Sequence, residues 1–220
     1  MSKNRSYRLL CPISRALDKV GDRWSLLILR DLHAGPARYI DIQKSFPRLA
    51  SNLLTTRLEQ LQASGLIVKR LIEYGTTVYE LTKRGDATAP LLFELSALGS
   101  HWPPIEDIQR PDNLRALVVT LKEMLRRVLV ATDKDLSLEF IVDDEHFAIT
   151  VNDGKADVRY KKNPDAKIAI ATNCEALIKV GDGNLALDEF EKKHIEIRRG
   201  SNSNVKQFLD LMSRASMRQI

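Results

Sequence analysis

The chain has 220 residues, 44% of them hydrophobic and 29% charged, and its 34 Lys/Arg against 29 Asp/Glu give a formal net charge of +5. This is the balance of a folded globular protein: it excludes low-complexity, collagen-like and disulfide-scaffold chains, and the length favours two domains. With no apolar run of about 18 residues and no apolar leader ending in a small-residue cleavage site, neither membrane spanning nor secretion is expected, and the cytoplasm is.

Pro12 suits the first position of a helix over PISRALDKVG, with Ile13, Ala16, Leu17 and Val20 on one stripe and Gly21 at its end. A second helix, DRWSLLILRDLHAGP, carries Trp24, Leu27, Ile28 and Leu32 at helical spacing and stops at Gly35-Pro36, as a central core helix would. In Tyr39–Phe46 the residues Tyr39, Ile42 and Phe46 face inward, leaving Arg38 and Lys44 outside. PRLAS then reads as a turn with Ser51 as the N-cap of NLLTTRLEQLQASG, whose Leu54, Leu58 and Leu61 fix a buried face. Two strands follow, LIVKRLI and TVYELT, around Glu73-Tyr74-Gly75. Helix, turn, helix and hairpin form the winged helix-turn-helix plan, in which the second helix enters the major groove of duplex DNA.

On that plan Asn52 and Thr56 are the base readers: an Asn can pair doubly with adenine, and a Thr offers a hydroxyl and a methyl. Arg38, Arg48 and Arg57 are phosphate contacts, with an ion pair inside the domain as the alternative for Arg57, and Ser51 sits at the helix start beside them. In the hairpin Lys69, Arg70, Tyr74 and Thr76 reach backbone or minor groove, or else are plain surface. After TKRG, a helix with Leu91, Leu92, Leu95 and Leu98 on one stripe either closes its own domain or, with the first helix, forms a homodimer surface that sets two reading helices about 34 Å apart.

The motifs CPISRALDKVGDRWSLLILRDLHAGPARYIDIQKSFPRLASNLLTTRLEQLQASGLI and VYELTKRG resemble the HxlR-type family of winged-helix transcriptional regulators over about residues 8–102. The resemblance implies a homodimer on operator DNA that answers to a small-molecule or redox signal. Its cysteine near the N-terminus falls on Cys11, which with the helix dipole and with Arg8 and Arg15 nearby is either a redox or electrophile sensor or a small apolar filler.

Residues 103–113, PPIEDIQRPDN, hold three of the eight prolines and no periodic pattern, as a linker between a 1–102 and a 114–220 domain would. Charge divides at the same place: residues 1–104 hold 15 Lys/Arg against 9 Asp/Glu, or +6, and the remainder 19 against 20, or −1. One basic, nucleic-acid-binding domain joined to another with different business has this footprint.

A helix over Leu114–Thr132, with Leu114, Leu117, Leu121, Leu125 and Val128 on one side, needs a sheet. The alternating segments SLEFIVD, HFAITVN, KADVRYK and KIAIAT supply it, and Asp153-Gly154 is a hairpin signal. Phe140, Val142, Phe147, Ile149, Val151, Val158 and Tyr160 fall on the covered face, and Glu139, Thr150, Asp157 and Arg159 on the wet one. Short helices in CEALIKVGDG and LALDEFEKK, a strand HIEIRRG and a helix over Asn204–Ala215 complete an α+β domain. The segment AIATNCEALIKVGDGNLALDEFEKKHIEIRRGSNSNVKQFLDLM looks like the sterol carrier protein fold over about residues 114–216. That resemblance implies an α/β sandwich, an antiparallel-rich sheet of about five strands covered by helices on one face, enclosing a tunnel for a lipid or other hydrophobic molecule. The usual Gly-Lys pair before the last strand is Glu191-Lys192 here. Phe147, Ile149, Val158, Ile170, Leu177, Phe190, Phe208 and Met212 line such a cavity, or equally make a structural core.

The four histidines sit in four elements without metal-ligand spacing, the two cysteines form no CxxC, and no nucleophile elbow, P-loop or dinucleotide fingerprint occurs. No metal, cofactor or catalytic activity is expected. Two functions remain: a dimeric DNA-binding regulator with a hydrophobic effector, or a lipid carrier whose helical half serves assembly.

Overall fold

The computed structural model describes residues 6–72, 75–102 and 114–216. The chain forms two compact units, Met1–Leu92 and Phe93–Ile220, and its class is α+β, a helix-turn-helix unit with a wing followed by a sheet-rich one. The expected linker, 103–113, lies outside the described residues. Among the described residues no helix is long and apolar enough to cross a membrane, and no group of three or more His, Cys, Asp or Glu is placed to hold a metal.

The first unit runs α1 (Pro12–Val20), α2 (Ser25–Leu32), α3 (Tyr39–Ser45), α4 (Ser51–Ala63), β1 (Ile67–Leu71), β2 (Thr77–Leu81) and α5 (Lys83–Asp86), with α6 (Ala89–Gly99) beginning in it. Its core is built on α2, whose Ile28 and Leu29 are fully buried and Leu32 nearly so, together with Ile42 of α3 and Leu54, Leu58 and Leu61 of α4. Leu29 stands outside the spacing read from the sequence, because α2 is packed on more than one side and a single stripe undercounts it. On the first helix Ser14 and Val20 are buried, while Ile13 and Leu17 of the apolar stripe face out. On α6, likewise, Ala89, Leu92 and Phe93 are buried and Leu91, Leu95 and Leu98 exposed.

The second unit takes in the rest of α6, and its described part resumes with a short 3-10 turn, Leu114–Ala116, before α7 (Leu117–Val128). The helix expected to reach Thr132 stops at Val128, because Leu129 turns extended (φ −67°, ψ 138°) and the Asp133 carboxylate accepts the Val130 N–H at 2.8 Å. Then come β3 (Leu136–Val142), β4 (Glu145–Asn152), β5 (Lys155–Tyr160), β6 (Ile168–Thr172), α8 (Cys174–Gly181), α9 (Leu187–His194), β7 (Glu196–Arg199) and α10 (Asn202–Ser216). The sheet order is β5-β4-β3-β6-β7, antiparallel except for the parallel pair β3/β6.

Phe140, Val142, Phe147, Ile149, Val151 and Val158 are almost wholly buried on one face, where α10 brings the Phe208 ring to 5.6 Å from Phe140. The opposite face is not simply wet. Glu139 is only 6% exposed: it accepts the Asn163 N–H at 3.1 Å and lies 3.0 Å from His146 Nδ1, because the chain between β5 and β6 crosses back over that side. Two hairpins turn through left-handed residues. Asp153-Gly154 (φ 49° and 70°) is the expected one, and Asp143-Asp144 (φ 47° and 67°) does the same without glycine, in a charge run that reads as a solvated turn.

Arg214 hydrogen-bonds Asp133 at 2.8 Å and, with the Val130 N–H, holds that carboxyl below its usual range. A carboxyl depressed in the folded state adds stability above its unfolded value, about pH 4, and loses it as pH falls through the folded value. Asp133→Asn is therefore expected to be less stable than the parent at neutral pH, with the difference shrinking as pH falls below about 4; urea melts from pH 7 downward read this directly.

Candidate nucleic-acid interface

The position of α4 is set from three sides. At the start of α2 the Asp22 carboxylate accepts the N–H groups of Trp24 (2.9 Å) and Ser25 (3.0 Å) and the Ser25 hydroxyl, so it caps that helix. The same carboxylate takes Arg57 Nε of α4 at 3.1 Å, and Arg57 also donates to Gln60 Oε1. On the α3 side the Tyr39 hydroxyl donates to Ser51 O (2.9 Å) and Gln43 Nε2 to Leu49 O (3.0 Å), while Leu49 plugs the turn into the core. Leu54, Leu58 and Leu61 then seat α4 as their spacing predicts.

Ser51 is the first helical residue, not the cap. Ala50 is extended (φ −61°, ψ 141°) and its carbonyl accepts the Leu54 N–H at 2.9 Å, so the helix begins one residue earlier than the hydroxyl suggested and no side chain caps it. Asn52 is exposed, with its Oδ1 on the Leu53 N–H at 2.8 Å. Thr56 is half-buried and donates its hydroxyl to Asn52 O at 2.9 Å, which leaves oxygen lone pairs and a methyl to offer. Its neighbour Thr55, which bonds back to Ser51 O, is the more exposed. Thr55 was legible as the i+3 partner of Asn52.

The basic residues divide. Arg48, in the turn, and Lys44, on α3, are exposed. Arg38 is exposed but forked onto Asp41 (2.8 and 2.9 Å), whose carboxyl that hydrogen bond holds below its ordinary range. Arg57 faces its own unit, as the alternative reading of that residue had it.

Gly85 sits where a Cβ would meet the Leu66 carbonyl at 2.0 Å, so the hairpin's base closes against α5 only with glycine there. The wing pairs Ile67 with Leu81 through Leu71 with Thr77, and an isolated bridge from Ala37 to Tyr79, which the sequence did not announce, ties its second strand to the chain before α3. Arg70 is exposed and paired with Glu80 at 2.8 Å, Lys69 is exposed, and Thr76 is half-buried with its carbonyl on the Ile72 N–H. Tyr74 lies outside the described residues.

Cys11 is exposed at the head of α1, and its carbonyl accepts the Arg15 N–H (3.2 Å) and the Ser14 hydroxyl (2.8 Å). Near it Leu10 is 96% exposed. In the second unit Phe147, Ile149, Val158, Ile170 and Phe208 come together in the packed face and are at most 2% exposed. Phe190 is buried in α9, and Leu177 and Met212 are half-buried on α8 and α10. A cavity of about 620 Å³ on the opposite face is lined by none of these eight.

Residues 19–107 match the model of the HxlR-like helix-turn-helix family. A stretch of 95 residues is 36% identical to an uncharacterised HTH-type transcriptional regulator of Synechocystis, sll1512, spanning 42% of this chain and 70% of that protein. Over 97 residues the chain is 36% identical to the uncharacterised HTH-type transcriptional regulator YvaP of Bacillus subtilis, covering 42% of this chain and 89% of the relative. The solved reduced form of the transcriptional regulator YodB from B. subtilis aligns at 26% identity and a TM-score of 0.39, over 43% of this chain and 95% of that one.

If Asp22 both caps α2 and anchors α4, Asp22→Ala should lower stability by about 1–2 kcal/mol. Arg57→Ala should lower it less, and the double variant should fall short of the sum of the two. Urea melts of all four proteins measure the coupling, and strict additivity would show that Arg57 is not held by Asp22.

Proposed function

The chain belongs, through its first half, to the HxlR-like helix-turn-helix family of transcriptional regulators, and from that premise we propose that it is a homodimeric repressor acting on operator DNA, with a hydrophobic effector received by the second unit. The observation that carries the reading is the outer face of α4, where Asn52 and Thr55 stand clear of the domain on a helix braced by Asp22, Tyr39 and three buried leucines. Asn52 reads adenine, and Thr55 and Thr56 offer methyl and hydroxyl oxygen to neighbouring base edges. Arg48, Lys44 and Arg38 meet phosphates, Arg38 by exchanging its exposed Asp41 partner, and the free N–H groups beside Ser51 at the head of α4 meet another. Lys69, Arg70, Tyr74 and Thr76 of the wing track the backbone. Arg57 positions the helix and touches no DNA.

Dimerisation is supported by uncovered apolar side chains: Leu10, Ile13 and Leu17 in the region of α1, and Leu91, Leu95 and Leu98 on α6. Full burial of each such side chain stabilises by about 1.5–3 kcal/mol, so a second copy that covers them gains substantially. A pair of α4 helices about 34 Å apart then fits one face of the duplex. Cys11, exposed at the head of α1, is where oxidation or an electrophile would alter that contact. A hydrophobic effector would enter between the sheet and α10, among Phe147, Ile149, Val158, Ile170 and Phe208, with Leu177, Phe190 and Met212 toward its margins. Because those residues pack closely without it, the ligand must open the core. It changes operator affinity to the extent that it favours one arrangement of the dimer.

Gel shifts with operator DNA across a salt series are expected to lose affinity with a log-log slope of about 0.9 per phosphate neutralised. Arg48→Ala should flatten that slope by about 1, while Asn52→Ala should leave it unchanged and weaken specific binding alone by about 1–3 kcal/mol. A flat salt response would refute DNA binding. By light scattering the parent should be a dimer, and Leu95→Glu with Leu10→Glu a monomer.

A further inference from the structure

The 620 Å³ cavity of the second unit lies on the sheet face opposite the packed core. Its floor is made by side chains too short to fill it: Ala169 and Ala171 of β6, beside Ile141 of β3. The longer residues to either side stand up as walls, one on β4 and the turn before it, the other on β7 and the end of α9 that leads into it. Those strands are three inter-strand spacings apart, about 14 Å at roughly 4.8 Å each, so a trough runs between them.

The two walls differ in chemistry. On the β4 side His146 presents its ring with Nδ1 3.0 Å from buried Glu139, which is itself fixed by the Asn163 N–H, so the ring is anchored and Nε2 remains to meet a ligand. Beside it Asp144 is held by the left-handed hairpin turn, whose Asp143 carboxylate accepts the Cys174 N–H at 3.2 Å. Facing them, Lys193, His194, Arg198 and Arg199 line the other wall, with Glu196 as its one carboxylate. His194 is oriented by stacking on buried Phe190 (6.3 Å, 17° between planes), and Lys193 and Arg198 carry only exposed pairings with Glu189 and Glu196 that exchange readily. An acceptor wall and a mainly cationic wall, with His146 and His194 held from behind, make a charge-separated site.

We propose that this trough binds a small amphoteric molecule carrying both an amine and an acidic group. The amine lies toward Asp144 and His146 Nε2, and the acid toward Lys193, His194 and Arg198. A volume of 620 Å³ is within the range of small-molecule sites and exceeds the need of a single amino acid, so a dipeptide-sized ligand fits. A purely apolar molecule gains nothing from these walls, which makes the site chemically distinct from the packed core on the other face. The proposal concerns the second unit and does not rest on DNA binding by the first.

The test uses the full chain with ring signals of His146 and His194 assigned by His146→Gln and His194→Gln, and the zwitterions alanyl-alanine and glycyl-leucine, which carry no other charge, as probes. Both ring signals should move saturably with at least one probe. N-acetylation or C-terminal amidation of that probe should weaken binding by about tenfold or more, because each removes one of the two charge contacts. Ala171→Leu, which fills the floor, should abolish the shifts while thermal unfolding and the gel shift of the same preparation stay as in the parent. Should Ala171→Leu not fold, Arg198→Gln is read instead, and it should weaken the unmodified probe while leaving the amidated one unaffected. Silence of both ring signals toward both probes, or equal affinity for parent and blocked probes, would overturn the proposal. A failed gel shift with intact probe binding would count against the DNA reading alone.

Discussion

A single carboxylate, Asp22, holds the start of α2 by hydrogen bonds and the flank of α4 by an ion pair. It satisfies two of the N–H groups that any helix leaves open at its beginning, and it neutralises the guanidinium of Arg57 where that side chain is half-buried. The most buried helix of the first unit and the helix that carries Asn52 and Thr55 are thus locked at one point. Around it the remaining contacts are conventional: Tyr39 and Gln43 tie the turn, and three leucines fill the groove beneath α4. A reading helix must be rigid relative to its domain, because side chains that reach base edges gain specificity only when their origin is fixed.

That division of labour explains why the basic residues of this unit are not equivalent. Arg57 is spent inside the fold, Arg38 is shared with Asp41, and Arg48 and Lys44 remain in water. Charge counts register all four alike. The excess of positive charge in the first half is a real feature of the chain, but the share available to a polyanion is smaller than the count.

In the second unit the decisive constraint is the parallel pairing of β3 with β6. Two antiparallel hairpin partners, β4 and β5, lie between them in sequence but to one side in space, so the chain must cross the sheet to reach β6. That crossing brings Asn163 onto Glu139 and turns an expected wet position into a buried one. It leaves the face more open above Ala171, where the trough lies.

The sequence by itself determined the elements and their insides. Alternation and helical spacing located the strands of the second unit and the main helices, the spacing of Leu54, Leu58 and Leu61 fixed how α4 is turned, and the motifs named the family of the first half, because each depends on residues a turn or a strand apart. The tertiary structure decided what lies between elements distant in sequence: Arg57 on Asp22, His146 on Glu139, the Ala37 bridge to Tyr79, and the stripe of α1 left outside the core. Nothing local distinguishes an arginine that meets a carboxylate 35 positions away from one that meets solvent, and no periodicity marks an alanine as the floor of a cavity. Those identities are properties of the pairing of segments, which local pattern does not encode.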